Sequence, residues 1–146
     1  AFCWQTNAQS IIIGTGTDDS GGTGSDPVDG YFNAFRYQVV YTAAELGVSL
    51  TPGDEITGLG WSISEDYAGG ALLGYTIKMG HTSASNSAAH DASSTIVVKN
   101  AFDYDPTATA AGVFDMIAFD TYFVWNGVDN VLVEVCSDGQ NPFSST

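Results

Sequence analysis

The sequence predicts an all-β fold, an antiparallel β-sandwich of jelly-roll-like type, and three observations carry that prediction. Apolar residues recur at period two in several separated stretches, the spacing of a strand with one buried face. Seventeen glycines punctuate those stretches, with Pro52-Gly53 and Asn126-Gly127 as the clearest turn signals. The one helical signal is brief: Thr42 and Glu45 form a capping box over residues 42–46. A sheet with one apolar face needs a second layer to cover it, hence a sandwich.

Taken in order, residues 1–10 read as an extension ahead of a domain spanning 11–146. Phe2 and Trp4 share one period-two face there, with Cys3 on the other. Ile11, Ile12 and Ile13 are a β-branched run that reads as a buried strand, ended by Gly14-Thr15-Gly16. Such a strand has two homes, its own sheet or the open edge of a neighbouring subunit. Residues 17–30 form an acidic, Gly-rich loop. Asp18, Asp19, Asp26 and Asp29 could converge on one Ca²⁺, which wants six to eight oxygens. The loop lacks the alternating ligands and terminal Glu of an EF-hand, and a solvated loop is the simpler reading.

Phe35, Tyr37, Val39 and Tyr41 alternate as a strand leading into the helical turn, which Gly47 and Pro52-Gly53 end. Thr57, Leu59, Trp61 and Ile63 form the next inward face, and Gly58 and Gly60 leave the opposite face bare for another backbone or a flat ligand. Tyr75, Ile77, Met79 and His81 make a further strand. His81 shares that apolar face, which reads as a hydrogen-bonded core or rim histidine rather than a base or metal ligand. His90 falls in a small-residue polar loop. The next strand runs over 95–101, and Phe102 to Pro106 turns it off.

The last stretch, 114–136, sets Ile117, Phe119, Thr121 and Phe123 on one side and Val131, Val133 and Val135 on one side after the break. Asn126-Gly127 between them predicts a long antiparallel hairpin with a loop of more than two residues.

The net charge of −14 comes from 17 acidic residues against Arg36, Lys78 and Lys99. No basic cluster exists to release counterions from phosphate, which argues against nucleic acid and against anionic membranes. No apolar run reaches the ~18–20 residues of a membrane-spanning helix. The chain starts at Ala1 without an initiator Met, which reads as a mature end left after signal removal and so as extracellular, secreted material. In that compartment Cys3 and Cys136 are expected to form a disulfide closing nearly the whole chain, the other reading being two free thiols. Neither cysteine has metal-ligand spacing.

Four separated segments also carry a resemblance: IIIGTGT at 11–17, VVYTAAELG at 39–47 followed by ITGLGWSIS at 56–64, YTIKMGHTSAS at 75–85, and FDTYFVWNGVDNVLVEVC at 119–136. In this order they resemble a domain that recurs in secreted, multi-domain surface proteins of Bacteroidetes. The resemblance implies a β-sandwich used for adhesion or display and offers no catalytic motif to carry over. The chain departs from the pattern in the acidic FDYDP at 102–106 and in its leader AFCWQTNAQS.

Catalytic patterns are missing. Asp103 and Asp105 share one side of a strand, but Asp105-Pro106 is more simply a turn than half of a glycosidase pair. Neither histidine stands near a GxSxG elbow, and GTGTDDSGG lacks the Lys and helix of a phosphate loop. No cofactor is expected. The expectation is therefore a non-catalytic structural subunit of an extracellular filament or surface assembly, polymerising head-to-tail with other copies of itself. Phe2, Trp4, Ile11, Ile12 and Ile13 would form the assembly strand. The alternative is a monomeric carbohydrate-binding or adhesive module that meets surface glycans through Trp61 and Trp125.

Overall fold

The computed structural model describes residues 9–14, 26–28, 34–63 and 70–140. Its elements in order are β1 (Phe35–Tyr41), α1 (Ala43–Leu46), β2 (Glu55–Trp61), β3 (Leu72–Thr82), β4 (Ile96–Tyr104), β5 (Asp115–Val124), β6 (Asn130–Ser137) and the short β7 (Gly139–Gln140). They make an antiparallel β-sandwich. One sheet has the order β1-β6-β3-β4, with β7 pairing β3, and the other is β2-β5.

The pairing is nested. The first described strand pairs with the sixth and the second with the fifth, so the chain wraps on itself as a jelly roll does, with six principal strands among the described residues. Tyr37, Val39 and Tyr41 stand opposite Val135, Val133 and Val131, and Ile77, Met79 and His81 stand opposite the same valines from the other side. These three rows put one apolar face against the small sheet. Val131, Val133 and Val135 are buried completely or nearly so, worth about 1.5–3 kcal/mol each. Ile117, Phe119 and Phe123 of β5 close the core from the opposite sheet.

The expected turn at 42–46 is present: the Thr42 hydroxyl accepts the Glu45 N–H, and the Glu45 carboxylate accepts the Thr42 N–H at 2.8 Å.

Four local expectations are corrected. The stretch 114–136 is not a hairpin, because β5 and β6 belong to different sheets. Inner faces of opposed sheets are as apolar as two faces of one sheet, so alternation could not separate the cases. The Asn126-Gly127 turn carries the chain across the sandwich: the Asn126 side chain accepts the N–H groups of Val128 and Asp129 at 3.0 and 2.9 Å, and Gly127 takes φ +80°. In β2 the register shifts between Ile56 and Gly58, so Ile56 packs on the core and Thr57 is exposed. Thr121 is exposed too, in the part of β5 that the same shift leaves unpaired with β2. Finally, β4 runs on through Tyr104, because Phe102 and Tyr104 are inward-facing aromatics packed against Tyr75.

Candidate functional site

The two long sides of the sandwich differ. On the β4–β5 side, Asp120 of β5 reaches across and accepts the Asn100 backbone N–H at 2.9 Å and the Asn100 side-chain amide at 3.1 Å. Lys99 reaches the same carboxylate at 3.1 Å. A carboxylate that satisfies an edge N–H blunts that edge against further pairing.

On the β1–β2 side Asp26 stands near Tyr37 of β1, and Val28 packs on the core. Among the described residues β1 pairs only with β6, and β2 only with β5. The inward side chains along this side, Phe35, Val39 and Tyr41 from β1 and Ile56, Leu59 and Trp61 from β2, are only half-buried, although all pack on the core. Residues 11–13 alternate as a strand would, with Ile11 and Ile13 half-buried and Ile12 63% exposed. Ile13 packs against the core, yet these residues belong to no ladder among the described residues, so the expected strand is corrected to an apolar segment outside the described sheets. Nothing in a run of three isoleucines distinguishes a strand that pairs within its own chain from one that does not. Phe2 and Trp4 lie outside the described residues.

The tryptophans are engaged in the fold. Trp125 is 2% exposed, with its indole N–H given to the Asp129 carbonyl at 2.9 Å, so its ring is enclosed. Trp61 is half-buried and donates to the Tyr75 hydroxyl at 3.0 Å, which in turn donates to the Pro27 carbonyl at 2.8 Å. Burial pushes the Tyr75 phenol well above its ordinary value. The bare glycine face expected beside Trp61 is taken by the neighbouring strand: a Cβ on Gly58 would stand 2.7 Å from the Ile117 carbonyl oxygen, and Met116 lies over Gly60. His81 sits at the rim, its Nε2 accepting the Asn126 N–H at 3.2 Å and its ring against Phe123.

The outer face of the large sheet holds a polar network that sequence reasoning missed. Gln38, Glu134 and Lys78 form one row across β1, β6 and β3, with Arg36, Cys136 and Thr76 in the next. Gln38 donates to Glu134 at 2.7 Å and to the Asp91 carbonyl at 2.7 Å, and accepts the Asp91 N–H at 3.0 Å. Asp91 also accepts from Ser93 and from the Thr82 hydroxyl, which straps residues 83–95 across the sheet. Gly80 lies beneath the Ser93 carbonyl, where no Cβ fits. Burial pushes the Glu134 carboxyl up, but Gln38, Arg36 and Lys78 outweigh it and hold it below the usual carboxylate range. Polar side chains at matching outward positions of three strands were the available signal, though pairing had to be known before it could be read.

Cys136 is a half-buried free thiol within this network, 3.7 Å from Glu134. Its expected partner Cys3 lies outside the described residues, as do Asp18, Asp19 and Asp29 of the expected calcium loop. Among the described residues no group of three or more His, Cys, Asp or Glu side chains is placed to hold a metal, and no helix there is long and apolar enough to cross a membrane.

Comparison of the chain with protein-family models, curated proteins and solved structures finds no match.

Proposed function

We propose that this protein is a non-catalytic structural subunit of an extracellular filament or surface assembly, built by β-strand contacts between copies. The observation that carries the reading is the segment Ile11–Ile13, half-buried at period two and seated against the core through Ile13 but outside every ladder described. An apolar segment whose side chains alternate as a strand's do is suited to adding to a sheet edge. Among the described residues β1 and β2 each have a single ladder partner and carry half-buried apolar side chains, while Asp120 blunts the opposite side.

In this arrangement Phe2 to Ile13 of one copy lies along the β1–β2 side of the next. Backbone hydrogen bonds supply strength, and alternate side chains fix the register. Donor and acceptor are different surfaces, so the contact is head-to-tail and propagates. Cys3 and Cys136 would then lock a subunit to itself or to its neighbour. The resemblance to surface-displayed sandwich domains agrees with an extracellular, adhesive setting. The enclosed Trp125 leaves the glycan-platform alternative with less to stand on.

Sedimentation velocity tests the reading. The intact chain should run as a concentration-dependent series of multimers, and a chain lacking residues 1–13 as a single small species. A single 15.3 kDa species for the intact chain at all concentrations would overturn it.

A further inference from the structure

Seventeen acidic residues against three basic ones make any two copies of this chain repel over most of their surfaces. A head-to-tail contact therefore has to find a cation. Lys99 is 21% exposed and held by Asp120 at 3.1 Å, and Lys78 is 32% exposed and lies 3.5 Å from Glu134. Arg36 differs. Its side chain is 55% exposed; its Nε stands 3.9 Å from Glu134, and it hydrogen-bonds the Cys136 side chain on the neighbouring strand.

Arg36 also lines a cleft of about 440 Å³ with Tyr37, Gln38, Ser87 and His90. Three of these residues belong to β1, the last strand on that side of the large sheet among the described residues, and Ser87 and His90 come from the strap over residues 83–95. The lining offers a guanidinium, a hydroxyl and an imidazole, groups that can donate to one anionic oxygen pair. Its carboxylate neighbours accept hydrogen bonds from neutral groups, Glu134 from Gln38 and Asp91 from Ser93 and Thr82, and Asp26 stands near Tyr37, so an incoming carboxylate has to meet the guanidinium directly.

We propose that this cleft receives an aspartate or glutamate side chain from a second copy of the chain. The proposal rests on the assembly reading and adds to it a named contact. Charge complementarity selects the occupant, since an acidic copy can approach the β1 edge at lowest cost where the exposed cation stands. Seated there, the carboxylate of the incoming copy meets Arg36 while that copy's strand meets the adjacent edge. The charged contact steers encounter and orients the approach more than it supplies affinity.

Sedimentation of the intact protein at low and high salt tests this, using wild type, Arg36→Gln, Arg36→Lys and Ser87→Glu. Ser87 is exposed, so Ser87→Glu keeps the fold and the guanidinium but places a competing carboxylate in the cleft. Wild-type association should weaken as salt rises. Arg36→Gln and Ser87→Glu should each weaken it about tenfold and flatten its salt dependence, with Arg36→Lys retaining part. If wild type assembles and both variants assemble equally well with the same salt response, the cleft is not the contact, and the assembly reading survives. If wild type stays monomeric at every salt concentration, the assembly reading fails first. Saturable binding of glucuronate to a monomeric wild type, lost in Arg36→Gln, would overturn the proposal in favour of an acidic saccharide.

Discussion

The Asp120 carboxylate of β5 accepts the Asn100 backbone N–H of β4 across 2.9 Å, joining the two sheets along one side of the sandwich. That hydrogen bond pulls Asp120 below the usual carboxylate range, with the Lys99 ammonium adding to the effect. The same side chain occupies one edge of the sandwich, whereas β1 at the other edge of its sheet pairs only with β6 among the described residues.

Replacing Asp120 with Ala should free the Asn100 N–H and leave Lys99 only its contact with the Phe102 ring, 5.2 Å from the ring centroid. The expected result is faster amide exchange at Asn100 and a lower melting temperature, with Asp120→Asn intermediate because it keeps an acceptor. Unchanged exchange at Asn100 in the alanine variant would contradict this account of the edge.

Gly80→Ala should displace the strap over residues 83–95, since the added methyl would enter the Ser93 carbonyl. Overpacking of this kind costs about 1–3 kcal/mol. Denaturant melts should show that loss, and the amides of residues 91–94 should exchange faster.

Acid should loosen the same region. Glu134 has a folded-state pKa below its ordinary value of 4.5, so its contribution is present above that value and lost as pH falls through the lower folded value. Glu134→Gln should flatten that part of the acid limb. Glu134→Ala should cost about 1.5–3 kcal/mol near neutrality, as hydrogen bonds to a charged group do, and should leave Lys78 and Arg36 facing each other without a counter-charge.

Alkali acts through the buried phenols. Burial pushes Tyr41 up to about 12, and burial with the Asp115 hydrogen bond pushes Tyr104 higher still. Their folded-state values are raised, so their stabilisation is complete below the ordinary 10.0 and is lost as pH rises through the folded values. Tyrosinate absorbance should therefore show a late group of phenols that ionises together with cooperative unfolding. Early, independent titration of every tyrosine would contradict the packing of Tyr41, Tyr75 and Tyr104.

Much of the fold was legible in the sequence because alternation reports burial on one face. β1 and the inward row of Tyr75, Ile77 and Met79 follow from it, and the capping box at Thr42 reports local chemistry that no tertiary contact overrides. What alternation does not report is which strand pairs with which. The stretch 114–136 therefore reads equally well as a hairpin or as two strands in opposed sheets, and the nested pairing decides for the second. Bulges are likewise silent: the shift between Ile56 and Gly58 moves Ile56 inward and Thr57 outward, against the pattern. The row of Gln38, Glu134 and Lys78 joins residues far apart in sequence, so its network emerges only from the register.

Negative-stain electron microscopy of the native protein, with and without a reducing agent, decides whether copies join through strand contacts. Filaments are expected in the untreated sample. Shortening on reduction would place Cys3–Cys136 bridges between subunits, and indifference to reduction would place strand addition alone at the contact. Isolated particles in both samples would contradict the account.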